Sequence, residues 1–287
     1  MSGAPNYRLI TVLCLVLAVW IGITAGAGVF LRGELNATEV TSIRGETYRA
    51  ITDGIYRYNS ERMVAEGVGW DIFTLLIALP VFLVLMPFLW RGSLRARLLA
   101  VGLLAYFFYQ YLMYALAWAF GPLFIAFVVL YAASLYLAVW IAATIDRGEL
   151  SVRIGKAFPR RGVIILCILI ALMLIGMWSQ RIVAGLNGDW ETAMLLGQTT
   201  MVIQALDLGL VVPFALLISY LVWKNRPVGF LLSPVLMVKG AAMAGAISVM
   251  LISAWVVEGN STLIPLILFV SVFAATLYLG YRMLRSV

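Results

Sequence analysis

Long apolar stretches separated by short clusters of charge, glycine and proline dominate the chain. A helix crossing a ~30 Å hydrocarbon layer needs about 20 mostly apolar residues. Eight runs come near or exceed that length: Leu9–Leu31, Ile72–Trp90, Leu98–Phe120, Leu123–Ile145, Val163–Trp178, Gln204–Trp223, Leu231–Trp255 and Leu263–Leu284. Backbone groups in lipid must hydrogen-bond within their own segment, so such runs predict helices and not the ~10-residue alternating strands of a barrel. Gly121-Pro122 alone joins the third run to the fourth, which predicts an antiparallel helical hairpin. The expected fold is all-α, a polytopic membrane bundle of eight helices forming one domain over residues 1–287.

Composition removes the soluble alternatives. Hydrophobic residues are 64% of the chain, charged residues 11%, and the mean hydropathy is +1.03; a soluble domain averages about 25% charged residues. Orientation follows from the basic residues, because cytoplasmic loops retain Lys and Arg. The face carrying both termini holds Arg8, Arg91, Arg95, Arg97, Arg147, Arg153, Lys156, Arg160, Arg161, Lys224, Arg226, Arg282 and Arg285, against two acids, Asp146 and Glu149. Six Arg and ten acids fall on the opposite face. Both termini are therefore expected in the cytoplasm, in a prokaryotic plasma membrane. The basic residues are spread over five segments without a recognition module, so the expected partner is the lipid bilayer with its anionic headgroups and not nucleic acid.

Arg8 followed by the run to Ile23 and Ala25-Gly26-Ala27 has the features of a cleavable signal peptide. The run continues through Val29-Phe30-Leu31 and is long enough to span, which favours a retained helix, with Gly22 and Gly26 expected to let a neighbouring helix approach. Residues 32–69 form one sizeable external segment. Within it Tyr48, Ile51, Ile55 and Tyr58 have spacing near that of an amphipathic helix over 44–66, lying across the bundle or covering a vestibule. Asn36-Ala37-Thr38 and Asn260-Ser261-Thr262 fit the glycosylation sequon and fall on the same face.

Sliding the sequence by 133 residues sets Leu75, Pro80, Leu83, Trp90, Arg91 and Leu98 on Leu208, Pro213, Leu216, Trp223, Lys224 and Leu231. At an offset of 142, residues 132–137 (AASLYL) match 274–279 (AATLYL), with the extra nine residues expected in the turn around Glu258-Gly259-Asn260. The pattern suggests a 4+4 parallel internal repeat with halves 1–145 and 163–287. Parallel repeats occur in transporters, with the site between the halves; Pro80 and Pro213 are either hinges or static kinks.

Ionisable groups at membrane depth are costly and usually face a bundle interior or a cavity. Lys239, beside Gly240, Ala241, Ala244 and Gly245, is the leading candidate for contact with an anion or a proton; its alternatives are snorkelling and a structural ion pair. Asp207 is the acid lying within a span, about 12 Å from Lys239 in depth at 1.5 Å per residue, so a direct pair requires a kink. Gln110, with Tyr106, Tyr109 and Tyr114, puts further polar atoms at mid-span, and Phe107, Tyr111, Tyr114 and Trp118 form an aromatic stripe explained by packing or by a cavity wall. Asp71 and Glu66 are external candidates, with Asp71 expected to cap its helix.

No His is present, and Cys14 and Cys167 both lie in apolar runs. This removes His-based catalysis and Cys/His metal sites. H-E-x-x-H, Walker A, G-x-G-x-x-G and D-D-x-x-D motifs are all missing, and no motif points to a particular cofactor. Three classes remain: a small-solute or ion transporter with its site between two repeat halves, an accessory or structural subunit bound to another membrane protein, and a membrane-embedded enzyme acting on a lipid or isoprenoid.

Overall fold

The computed structural model of the protein describes residues 5–146, 148, 150, 158–259 and 263–286. Among these, eight helices are long and apolar enough to cross a membrane: α1 (Tyr7–Phe30), α2 (Glu61–Trp90), α3 (Leu94–Ala117), α4 (Phe124–Ala143), α5 (Arg160–Leu186), α6 (Val202–Trp223), α7 (Pro227–Glu258) and α8 (Leu263–Arg285). Arg147, Glu149, Arg153, Lys156 and the second sequon, 260–262, lie outside the described residues.

Three helices run further than their apolar cores. Helix α2 starts eleven residues before Ile72, where the Ser60 side chain accepts from the Met63 N–H at 3.3 Å and Glu61 occupies the first turn. Arg62, Glu66 and Asp71 interrupt the apolar pattern without interrupting the helix, because each finds a partner inside the protein. Helix α5 continues past Trp178 to Leu186, and α7 extends to Glu258. At offset 133 the starts of α3 and α7 coincide, and α7 runs about two turns longer than α3, so the extra residues expected in the turn around Glu258-Gly259-Asn260 fall mostly within α7.

Residues 32–60 do not form the expected amphipathic helix. Strands β1 (Ala37–Thr41) and β2 (Thr47–Ile51) pair antiparallel, with Val40 opposite Tyr48, around a turn containing Gly45 at φ +84. Alternating Thr, Tyr and Ile residues favour a pleated strand, and the spacing taken for a helix spans a strand and a turn. The hairpin is tied across the bundle to the α5–α6 connection. The Glu46 carboxylate accepts from the Leu196 N–H at 2.8 Å, and the Arg44 guanidinium donates to the Thr199 carbonyl at 2.9 Å. Asn36 of the first sequon is engaged locally, its amide donating to Asp53 at 3.2 Å. This side of the bundle is called the hairpin face below; the side with Tyr7 and Arg285 is the termini face.

Helix α1 packs on α2 and α4, α2 on α3, and α3 on α4; likewise α5 packs on α6 and α8, α6 on α7, and α7 on α8. Across the two sets, α3 meets α7, α2 meets α7, and α6 meets α3. The most apolar stretch of α3 is 72% buried and that of α8 only 22%, so α3 lies in the interior and α8 at the periphery. Close approach depends on Gly69: a Cβ there would lie 2.8 Å from the Met250 backbone. Gly26, expected to admit a neighbour, has nothing within 4 Å of where its Cβ would be; Gly28 instead lies directly against Asp71 and Tyr56.

The spans that carry Pro80 and Pro213 each have a π turn ending two residues before that proline. These are Thr74–Ala78 in α2 and Asp207–Val211 in α6, and they coincide at an offset of 133. Proline cannot donate to the carbonyl four residues back, so the carbonyls of Leu76 and Gly209 lose their usual partners and the wider turn takes up the mismatch.

Candidate functional site

Two polar clusters lie inside the bundle, one closed and one open. The closed cluster is built on α2 and α3 around Asp71, which is fully buried in mid-helix and does not cap a helix start. The Trp70 indole N–H donates to the Tyr106 hydroxyl at 2.9 Å. Tyr106 is 2.8 Å from the Thr74 hydroxyl, and Thr74 donates to Gln110 Oε1 at 2.9 Å. Gln110 Nε2 then donates to Asp71 Oδ1 at 3.4 Å, while the Tyr56 hydroxyl donates to Asp71 Oδ2 at 2.5 Å. Every proton in this chain points toward the carboxyl. Tyr114 gives its one proton to the Gly67 carbonyl at 3.0 Å and stands 3.4 Å from Asp71. Three members of the aromatic stripe, Phe107, Tyr111 and Tyr114, are interior packing, with Tyr111 and Tyr114 6.2 and 5.2 Å from the Phe127 ring of α4, while Trp118 lines a cavity.

The open cluster surrounds Asp207 at the start of the π turn of α6. Its carboxylate accepts from the Tyr109 hydroxyl at 2.5 Å and from the Trp178 indole N–H at 2.8 Å. The Lys239 ammonium lies 4.3 Å from the centre of the Tyr109 ring, a cation–π geometry. No ion pair of 4.0 Å or less joins Lys239 to Asp207 among the described residues; Tyr109 bridges them, offering its face to one and its hydroxyl to the other. The 12 Å depth difference expected from the sequence assumed that α7 begins at Leu231. It begins at Pro227, which raises Lys239 to ~18 Å from that end of its helix and toward the level of Asp207.

Asp207, Tyr109 and Lys239 line a cavity of about 320 Å³. Its other walls come from α2 (Arg62 to Trp70), the last turns of α3, α5 (Ile170 to Arg181), α7 (to Leu251) and α8 (Pro265, Phe269, Val272). Met63, Met113, Met173, Met177, Met243 and Met250 provide much of the apolar lining. Nearest the hairpin face, Arg62 pairs with Glu66 at 3.1 Å and with Glu258 at 2.9 Å. Arg181 lies 5.4 Å over the Trp178 ring. Most of the lining belongs to the hairpin-face half of its helix, with Ile170 of α5 and Leu236, Lys239 and Gly240 of α7 just past mid-helix toward the termini face. Toward the termini face the bundle is filled by Val163, Cys167, Ile218, Phe230 and Met283, and by Leu98, Ile145 and Leu231.

Of the residues singled out in the sequence, Lys239, Asp207 and Glu66 line this cavity. Gln110, Tyr106 and Tyr114 instead belong to the closed cluster with Asp71. Tyr109 was named only as one of the mid-span tyrosines, and Trp178, Arg62 and Arg181 were not singled out. Tyr109 is one step along α3 from Gln110, and only the rotation of that helix tells which of the two faces Lys239. Among the described residues no group of three or more Cys, Asp or Glu is placed to hold a metal. No family model, curated protein or solved structure matches the chain.

Proposed function

We propose that the protein is a transporter whose solute-binding site is the cavity with Lys239, Tyr109 and Asp207 at its floor. One observation carries the reading: an ammonium and a carboxylate are held apart by an aromatic ring deep inside the membrane, at the closed end of a cavity confined to one side of the bundle. A structural ion pair would bring the two charges into contact, and a snorkelling lysine would reach for the interface. A cavity on one side and packed core on the other correspond to one access state of an alternating-access cycle. Since positive charge is retained in the cytoplasm, the hairpin face is read as the outside.

The same reading takes 1–145 and 163–287 as two copies of one four-helix unit. Three things support it: the coincidence of the π turns at offset 133, the common starts of α3 and α7, and the matching helix contacts in the two sets. The two π turns are where one unit could tilt against the other, since such turns are weak points in a helix and gather at functional sites.

The test is Lys239→Met in purified protein, with thermal stability followed across a panel of lipids, ions and metabolites. A compound that stabilises the native protein is expected to lose its effect on the variant, which stays folded. Lys239→Arg is expected to weaken the effect, because the two cations differ in shape and hydration. Full ligand stabilisation of Lys239→Met would remove the lysine from the site.

A further inference from the structure

We propose that the ligand of this cavity is a single-chain amphiphile with an anionic oxygen head group, and that it enters from the bilayer between α5 and α8. The inference rests on the transporter reading for its site and adds the chemical class and the route.

Unused hydrogen-bond donors on two lining cations set the class. Both oxygens of Asp207 already accept, one from Tyr109 and one from Trp178. At the opposite end of the cavity, Arg62 is paired twice. Two lining cations remain. Among the described residues, neither Lys239 nor Arg181 has a carboxylate within 4.0 Å or a hydrogen-bond acceptor; each stands over an aromatic ring, and the nearby carboxylates, Asp207 for Lys239 and Glu66 for Arg181, act on it only from beyond that distance. An ammonium carries three donors and a guanidinium five, so these two cations hold out donors that no acceptor of the protein takes up. An anionic oxygen head group complements both cations. The rest of the lining, six methionines with Trp70, Trp118, Ile170, Leu174 and Phe269, has nothing to offer a hydrated solute. Methionine suits a flexible chain because it adapts to many shapes. A volume of about 320 Å³ is near the low end for ligand pockets, ~300–1,000 Å³, which favours one chain over two.

The route follows from how α8 is held. Its buried residues are Thr276, Leu279, Gly280 and Met283, all in its termini-face half. There it meets α5: a Cβ on Gly162 would lie 3.0 Å from Leu279. Toward the hairpin face, no residue of α8 before Ala275 joins a hydrophobic core cluster among the described residues. The cavity occupies that level, between Ile170, Met173 and Met177 of α5 and Pro265, Phe269 and Val272 of α8, and Pro265 is exposed. The two helices thus converge at one end and flank the cavity at the other, leaving a side opening at the depth of the acyl chains.

The test uses the full chain in nanodiscs, with dodecanoate, dodecyl phosphate, dodecanol, dodecyltrimethylammonium, acetate and inorganic phosphate as probes of binding. Dodecanoate or dodecyl phosphate is expected to bind, and comparison of the two identifies the head group. Dodecanol, the cationic analogue and the two chainless anions are expected to bind at least tenfold more weakly. Lys239→Met should weaken the preferred probe by about 30-fold or more, the scale of removing one partner of a buried charge pair. Equal binding of dodecanol overturns the anionic head group, and tight Lys239-dependent binding of acetate or phosphate overturns the chain while leaving Lys239 in a site. Tight binding of dodecanoate that Lys239→Met leaves unchanged overturns the underlying reading as well. For the route, Met173→Cys with Phe269→Cys, in a chain with Cys14 and Cys167 replaced by Ala, is joined by a short bifunctional maleimide. Cross-linking is expected to slow dodecanoate uptake at least tenfold; an unchanged rate in the cross-linked protein overturns lateral entry.

Discussion

At an offset of 133 residues, Thr74 and Tyr106 of the first half take the places of Asp207 and Lys239 in the second. Both pairs begin a π turn on one helix and face it from the next, yet their fates differ. Thr74 and Tyr106 are neutral, fully buried and bonded to each other at 2.8 Å. Asp207 and Lys239 are ionisable, line a cavity and do not touch. Three residues earlier the contrast reverses: Asp71 is sealed within donors, while Gln204, at the same offset, carries no charge. One scaffold therefore supports a polar network that is finished by the protein itself and another that is left unfinished. In lipid, where every unmet donor is costly, only the second has a reason to recruit something from outside.

The sharpest way to break this contrast is to compare the stability of Asp71→Ala and Asp207→Ala. Removing Asp71 strands the Tyr56 and Gln110 donors in a closed space and should cost about 3 kcal/mol or more, at ~1–3 kcal/mol for each unsatisfied group. Removing Asp207 frees Tyr109 and Trp178 beside a cavity that can admit solvent or ligand, so the loss should be less than half as large. Equal losses in denaturant-induced unfolding in detergent would mean that both clusters are structural.

Next in size is the glycine that seals the closed cluster. A Cβ at Gly28 would collide with the Asp71 carboxylate and the Tyr56 hydroxyl, so Gly28→Ala should lower stability by about 2 kcal/mol, as overpacking does. Gly26→Ala, on the same helix but facing open space, should be neutral or slightly stabilising, because it removes a helix-interior glycine. The pair of melting temperatures checks whether the first half is packed as tightly as described.

A smaller effect is expected at the start of α2. Ser60→Ala removes the cap on the Met63 N–H and should cost about 1 kcal/mol, with hydrogen exchange rising in the first turn of α2. That turn carries Arg62 and Glu66 into the mouth of the cavity, so fraying there should loosen ligand binding before it lowers global stability. Smallest of all should be Arg49→Ala. Its pair with Glu61 is 3.2 Å long but largely exposed on the arginine side, and such pairs contribute ~0–1 kcal/mol.

Which parts of this were legible in the sequence depends on what each signal measures. Hydrophobic run length is a direct record of bilayer thickness, and it gave eight helices and the tight α3–α4 hairpin. The ends of α2 and α5 were misread because Arg62, Asp71 and Arg181 look like interruptions; the partners of the first two, Glu258 and Tyr56, lie in other segments, and Arg181 stands over Trp178 of its own helix. Lys239 and Asp207 could be named as costly groups in a span, but their neighbours could not. Whether Tyr109 or Gln110 faces them depends on helix rotation, and nearly every position of α3 is apolar or aromatic, so its pattern leaves that rotation undetermined. The hairpin was missed because five-residue strands leave only a weak pattern, one that a 3.6-residue period can imitate.

A π turn holds one residue more than the α turn it replaces, so everything beyond it is rotated by about 100° relative to an uninterrupted helix. In α2 that rotation decides which residues before Thr74 face α3 and α7. Deleting a single residue from 74–78 and restoring the α turn would swing Arg62, Glu66 and Trp70 off the cavity and carry Asp71 away from Gln110. Like a stitch added at the same row of two sleeves, the extra residue sets the cut of everything above it: the polar wall of the cavity is written as much in the count of residues between Phe73 and Pro80 as in their identities.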